Sequence, residues 1–260
     1  MSFRKSLEIS LRRFFIRNNE LKKLIERTFI RCGFNVIPGK SGLKLIRFNE
    51  PVPYLPNFSP WMDSAYLAFF DEIADFTTTR PANLWTLQAL IQQIRHLDGD
   101  VWQIGVYRGG GARAIEKAIE GTPGPAPTLR LFDTFEGLVG TQPDKDYYEN
   151  GMLSDTDVDV VSNLMQSDFV HIHAGMSPEI LKDAGDPKLA FAQVDIDAYY
   201  PTLETLEYVD KRMLKGGIVL VETYGLPNGR SVRAATDAFC KKTGKTVLVL
   251  STAQGIIFYN

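Results

Sequence analysis

Apolar positions along the chain fall into two rhythms that change near residue 100. In residues 3–30, Phe3, Leu7, Leu11, Phe14 and Phe15 recur at helical spacing, followed by Leu21, Leu24, Ile25 and Phe29. That spacing predicts one or two amphipathic helices. Residues 33–60 lose the pattern and carry Pro38, Pro51, Pro53, Pro56 and Pro60, which predicts a linker wrapping the surface. From Trp61 to about Leu97 the helical period returns, with Trp85, Leu87, Leu90, Ile91 and Ile94 on one face. Five short apolar runs then follow: Val101–Val106, Leu129–Phe132, Val170–Ile172, Leu189–Val194 and Ile218–Val221. Helical stretches separate most of them. They are Ala112–Glu120, Pro201–Leu214 stopping at Gly216-Gly217, and Ser231–Lys242 stopping at Gly244. Buried strands alternating with helices predict a parallel sheet covered on both faces. Thr246–Leu250 and Ile256–Tyr259 are joined by a short turn and must pair antiparallel. The expected fold is α/β, a doubly wound, mostly parallel sheet over 61–260 with a C-terminal antiparallel hairpin. Residues 1–60 form a basic helical extension and linker.

Composition narrows the class. The chain has 260 residues, 44% of them apolar and 23% charged, which excludes a disordered or collagen-like chain. Two distant cysteines, Cys32 and Cys240, suggest a reducing, cytoplasmic compartment. No apolar run is long enough to span a bilayer. Residues 1–31 hold nine Lys or Arg and three Glu, a net +6, against −8 for the remainder. The basic segment has two readings, peripheral contact with an anionic membrane and a helix packed on its own domain or across a homo-oligomer; the second is favoured. No nucleic-acid partner is expected.

Candidate chemistry gathers at the carboxyl ends of the predicted strands, where an open parallel sheet makes its crevice. The first strand runs through Gln103 into Gly105-Val106-Tyr107-Arg108-Gly109-Gly110 and a helix. Such glycines either let the backbone approach a ligand or simply make a tight turn. The second strand ends in Asp133, placed to hold ribose hydroxyls or to cap a turn. The third leads to Ser177-Pro178, a helix cap or a hydroxyl beside a bound adenine. His171 and His173 lie on that strand as packing residues. The fourth ends in Asp195-Ile196-Asp197 and the fifth in Glu222-Thr223. Three converging carboxylates need a cation or a proton between them, and hard oxygens suit Mg²⁺. An acid-rich insertion, Gln142–Asn163, reads as a lid or as a solvated loop.

Gly-Val-Tyr-Arg-Gly-Gly, Asp-Thr-Phe-Glu-Gly-Leu, Val-Asp-Ile-Asp-Ala-Tyr-Tyr-Pro-Thr and Lys-Gly-Gly-Ile-Val-Leu-Val-Glu-Thr-Tyr-Gly occur in that order. Together they resemble the macrocin O-methyltransferase family over about residues 78–240. The resemblance implies a class I, Rossmann-like fold and transfer of a methyl group from S-adenosylmethionine to a sugar hydroxyl. The acceptor would be a glycan, nucleotide-sugar or other small molecule. Gly105, Arg108, Gly109 and Gly110 would line the methionine part of the cofactor, Asp133 would hold the ribose, and Ser177 would sit at the adenine. Asp195, Glu222 and Thr223 would bind Mg²⁺, and Asp197 would be the general base. Two departures stand out. Gln103 replaces a usual Glu, and Glu222-Thr223 replaces a usual Asp-Asp, so one anionic ligand is lost. These departures keep open a metal-independent methyltransferase and a non-catalytic cofactor- or glycan-binding protein. A short-chain dehydrogenase is excluded, since no tyrosine has lysine four residues on.

Overall fold

A computed structural model describes residues 34–39, 42–47 and 59–260. The helices read over residues 3–30 lie outside the described residues. The chain divides between Asp63 and Ser64, and the two units are taken separately.

In the first unit, the stretch read as a linker contains a β-hairpin. Strand β1 (Phe34–Gly39) pairs antiparallel with β2 (Gly42–Arg47) in register Gly39↔Gly42. The density of prolines nearby hid this hairpin.

The second unit follows the predicted alternation. Helices α1 (Ser64–Ile73) and α2 (Pro81–Gln93) precede β3 (Asp100–Ile104), α3 (Gly110–Glu120) and β4 (Leu129–Asp133). Helix α4 (Val158–Leu164), β5 (Val170–Ala174), β6 (Leu189–Val194), α5 (Tyr199–Asp210) and β7 (Met213–Val221) follow. Helix α6 (Arg230–Thr243), β8 (Leu248–Val249) and β9 (Gly255–Phe258) complete the unit. The sheet order is β5-β4-β3-β6-β7-β9-β8, with β9 antiparallel to both β7 and β8.

Alternation along the strands builds two core layers. Val101, Leu129, Leu131 and Leu220 pack on one face with Leu87, Ile91 and Ile115. Trp102, Ile104, Phe132 and Val194 pack on the other with Leu206, Val209 and Phe239. Burial on both faces is why these strands read as continuous apolar runs.

One predicted boundary is corrected. Gly216-Gly217 does not stop a helix; it lies inside β7, and α5 ends at Asp210. The β6–β7 pairing shifts from Leu189↔Met213 to Phe191↔Ile218, and the glycines absorb that irregularity. Gly216 has φ +84°, and a Cβ on Gly217 would fall 3.1 Å from the Ala190 carbonyl oxygen.

The functional consequence lies at β3. It pairs β4 on one side and β6 on the other, so the chain's winding reverses there. Crevices in open sheets form at the carboxyl ends beside such a reversal.

Candidate active site

A cavity of about 520 Å³ opens there. Gly105, Asp133, Ser177, Asp195, Asp197, Glu222 and Thr223 all line it. This volume lies within the usual range for small-molecule sites, about 300–1,000 Å³.

Gly105 takes φ +91°, and a Cβ there would lie 2.2 Å from the Asp195 carbonyl oxygen. The glycine therefore lets the ends of β3 and β6 meet. Gly109 begins α3 at φ +94°. A Cβ on Gly110 would strike Thr77 and the Phe76 carbonyl. Neither Gly109, Gly110 nor Arg108 reaches the cavity wall. For these three the tight-turn reading describes the structure: the close approaches are between segments of the chain. Arg108 instead grips the insertion, donating from Nε to the Asp155 carbonyl at 2.9 Å and pairing with the Asp155 carboxylate.

Asp133 organises the turn before any ligand arrives. Its Oδ2 accepts the Val106 and Tyr107 amides at 2.6 and 2.9 Å, and its Oδ1 accepts Phe135 N–H at 2.9 Å. The Thr134 hydroxyl also reaches Oδ1, at a long 3.5 Å. Ser177 is not a helix cap. Its hydroxyl bonds the Thr205 hydroxyl at 2.5 Å, and the 3₁₀ turn Glu179–Ala184 begins after Pro178. His173 stacks on Phe132 with centroids 4.9 Å apart, and burial lowers its pKa; His171 is exposed.

Asp195 and Asp197 stand at the end of β6, and Thr223 donates its hydroxyl proton to Asp197 Oδ1 at 3.1 Å. Burial, reinforced by Glu222, Asp197 and Asp133, raises the Asp195 pKa well above the usual carboxylate range. Burial pushes Asp197 up to about 6, with the Thr223 hydrogen bond opposing and the Glu222 charge adding.

Glu222 is 5% exposed and turned into a cage of amides. Its Oε1 accepts Asn83 Nδ2 at 3.0 Å; its Oε2 accepts Gln193 Nε2 at 3.1 Å and Gln254 Nε2 at 2.9 Å. Burial raises its pKa, and the Gln254, Asn83 and Gln193 hydrogen bonds oppose the rise. The cage tests the Mg²⁺ expectation. A ligand set of Asp195, Glu222 and Thr223 requires free lone pairs directed at one point. Glu222 lines the cavity, but amide N–H groups fill three of its four lone-pair sites, and Thr223 gives its hydroxyl proton to Asp197. Among the described residues no group of three or more His, Cys, Asp or Glu side chains is arranged to hold a metal ion. The residues present do not fit the cation.

Sequence reading missed Asn83, Gln193 and Gln254. The available signal was polarity in the wrong place: Gln193 interrupts the apolar run of β6, and Asn83 sits beside Leu84 and Leu87 on the buried face of α2.

The acid-rich insertion borders the cavity and carries α4 within it. Tyr148 and Leu153 line the wall. Asn228 donates to the Tyr148 hydroxyl at 2.6 Å, and Asp146 Oδ1 accepts the first amide of α5, from Tyr199, at 2.8 Å. Lys145 donates to the Tyr200 hydroxyl at 2.6 Å, and Tyr107 donates to Asp155 at 2.8 Å. The insertion is thus fastened to the glycine turn, to α5 and to the β7–α6 loop. No helix among the described residues is long and apolar enough to cross a membrane.

Comparison with known proteins agrees with this architecture. Structures of the O-methyltransferase NovP and of the calicheamicin methyltransferase CalS11 share the fold. NovP has a TM-score of 0.57 at 20% identity, covering 68% of this chain and 79% of that one. CalS11 has a TM-score of 0.60 at 17% identity, covering 76% and 94%. A curated relative from Streptomyces olivaceus is 26% identical over 140 residues. It is described as an 8-demethyl-8-(2,3-dimethoxy-alpha-L-rhamnosyl)-tetracenomycin-C 4'-O-methyltransferase, and the match spans 49% of this chain and 54% of the relative. A family profile described as Macrocin-O-methyltransferase (TylF) matches residues 74–252, which includes the glycine turn, Asp133 and all the strand-end carboxylates. With more than half of its length inside that match, the chain belongs to the macrocin O-methyltransferase family.

Proposed function

We propose that the chain is an S-adenosylmethionine-dependent O-methyltransferase acting on a sugar hydroxyl. The observation that carries this reading is one cavity lined by Gly105, Asp133 and Asp197, with Asp197 hydrogen-bonded by Thr223. The family and the rhamnosyl substrate in the curated relative's description support it.

The cofactor supplies a methyl group already activated on a sulfonium. The chain's task is therefore to position the hydroxyl and take its proton. Positioning accounts for several kcal/mol of such accelerations. Asp133, held by the Val106 and Tyr107 amides, accepts a ribose hydroxyl on Oδ1 in place of the long Thr134 contact, and Ser177 borders the adenine. Asp197 takes the hydroxyl proton while the oxygen gains the methyl carbon and sulfur keeps the electron pair of the broken bond. Asp195 beside it keeps the floor of the site acidic. No step passes through Mg²⁺, because the donor set does not fit one.

Calorimetry with S-adenosylhomocysteine tests the cofactor half. Asp133→Ala should weaken binding by about 1.5–3 kcal/mol, from the lost ribose contact and a loosened turn. Affinity equal to the native chain would remove Asp133 from the site. Saturable binding without transfer to any glycoside would instead favour the non-catalytic binding reading.

Residues 1–31 enter this proposal as an assembly element. A chain starting at Gly33 should scatter light as a smaller particle, and neither chain should sediment with anionic vesicles at moderate salt. Sedimentation of the intact chain alone would make the segment a membrane contact, and a lipid-linked glycan the natural acceptor.

A further inference from the structure

The cage around Glu222 carries an inference that rests on the methyl-transfer reading. We propose that in this chain an amide network replaces the divalent cation: Glu222 cross-links the site, and Thr223 is the positioning residue that aims Asp197 at the acceptor hydroxyl.

The argument begins with donor and acceptor types. A carboxylate only accepts, so Asn83, Gln193 and Gln254 must present N–H groups to it. Two of these amides are also held from behind. Asn83 Nδ2 reaches the Thr252 carbonyl at 3.2 Å, and Gln254 Nε2 reaches the Asn83 carbonyl at 3.2 Å. Gln254 Oε1 accepts the Thr252 hydroxyl at 2.7 Å. The network ties α2, β6, the end of β7 and the β8–β9 turn to one carboxylate. A cation would have to displace N–H groups already locked in place.

What remains for a cation is too little. Asp197 Oδ1 already accepts from Thr223, so a cation held between Asp195 and Asp197 would compete with the hydrogen bond that aims the base. Mg²⁺ demands near-ideal octahedral geometry and is held through one or two carboxylates with retained waters, often with substrate phosphates. Thr223 follows Glu222 directly in the chain, and its hydroxyl donates to Asp197 Oδ1 at 3.1 Å. Orientation of the base is thereby set by hydrogen bonds within the chain.

Three measurements on the full chain test this. Methyl transfer after exhaustive chelation should stay within about two-fold of the untreated rate, and Mg²⁺ titrated calorimetrically into the chain with S-adenosylhomocysteine should give no saturable heat. Thr223→Val should lower kcat by about 10–100-fold with KM and cofactor affinity unchanged, and Thr223→Ser should restore most of it. The proposal is overturned by a loss of ten-fold or more on chelation that Mg²⁺ reverses, or by a Thr223→Val chain as active as the native one. Should no acceptor turn over at all, the methyl-transfer reading fails by itself. The Mg²⁺ titration still decides the cage: saturable binding overturns it, and none upholds it.

Discussion

Replacing Asp197 by Asn is expected to lower kcat for methyl transfer by about 10²–10⁴-fold and to leave cofactor affinity unchanged. The amide preserves the side chain's size and can still accept from Thr223, so the geometry at the end of β6 survives. What disappears is the capacity to take a proton. A sugar hydroxyl is a weak acid, and its oxygen becomes a good nucleophile only as that proton leaves. Burial and the neighbouring carboxylates raise the pKa of nearby Asp195, which opposes its ionisation. The measurement is kcat for transfer of labelled methyl, read beside calorimetric binding of S-adenosylhomocysteine. A variant retaining most of its turnover would remove Asp197 as the base.

The second large effect is on stability. Glu222→Ala should destabilise the fold by about 3 kcal/mol or more, since three buried amides lose a common acceptor and orphaned donors cost about 1–3 kcal/mol each. At roughly 2–4 °C per kcal/mol for a domain of this size, Tm should fall by about 6–12 °C. Glu222→Gln should be milder. Gln193 Oε1 is buried without a hydrogen-bond partner, so a flip of that amide could receive the new N–H₂ group. A melting curve for Glu222→Ala superposed on the native one would mean that the cage contributes nothing to stability.

Much of the sheet was legible because fully buried parallel strands leave an unambiguous mark. Leu189–Val194 is apolar at all but one position, and every residue of it is buried. The strand-end acids were legible for the same reason: once the strands are found, their carboxyl ends must converge, and Asp133, Asp195 and Asp197 do line one cavity. Register was not legible. Gly216-Gly217 follows a helical pattern and looks like its stop, whereas the shift in β6–β7 pairing that demands two glycines exists only in three dimensions. The partners of Glu222 were hidden for a related reason. Asn83 is 139 residues away from it along the chain, and only the assembled sheet brings the two together. The same separation masked the roles of Tyr148 and Asn228. Arg108 misled in the opposite direction. The family resemblance implied a cofactor contact for it, and in the structure its guanidinium pairs with Asp155.

The most direct test of the account is transfer of isotope-labelled methyl from S-adenosylmethionine to a panel of glycosides and nucleotide-sugars, run in parallel with the native chain and Asp197→Asn. The account predicts label on a sugar oxygen of at least one acceptor with the native chain, and a rate at least about 100-fold lower with the variant. Native chain that binds S-adenosylhomocysteine but labels no sugar, or equal labelling by both chains, would contradict it.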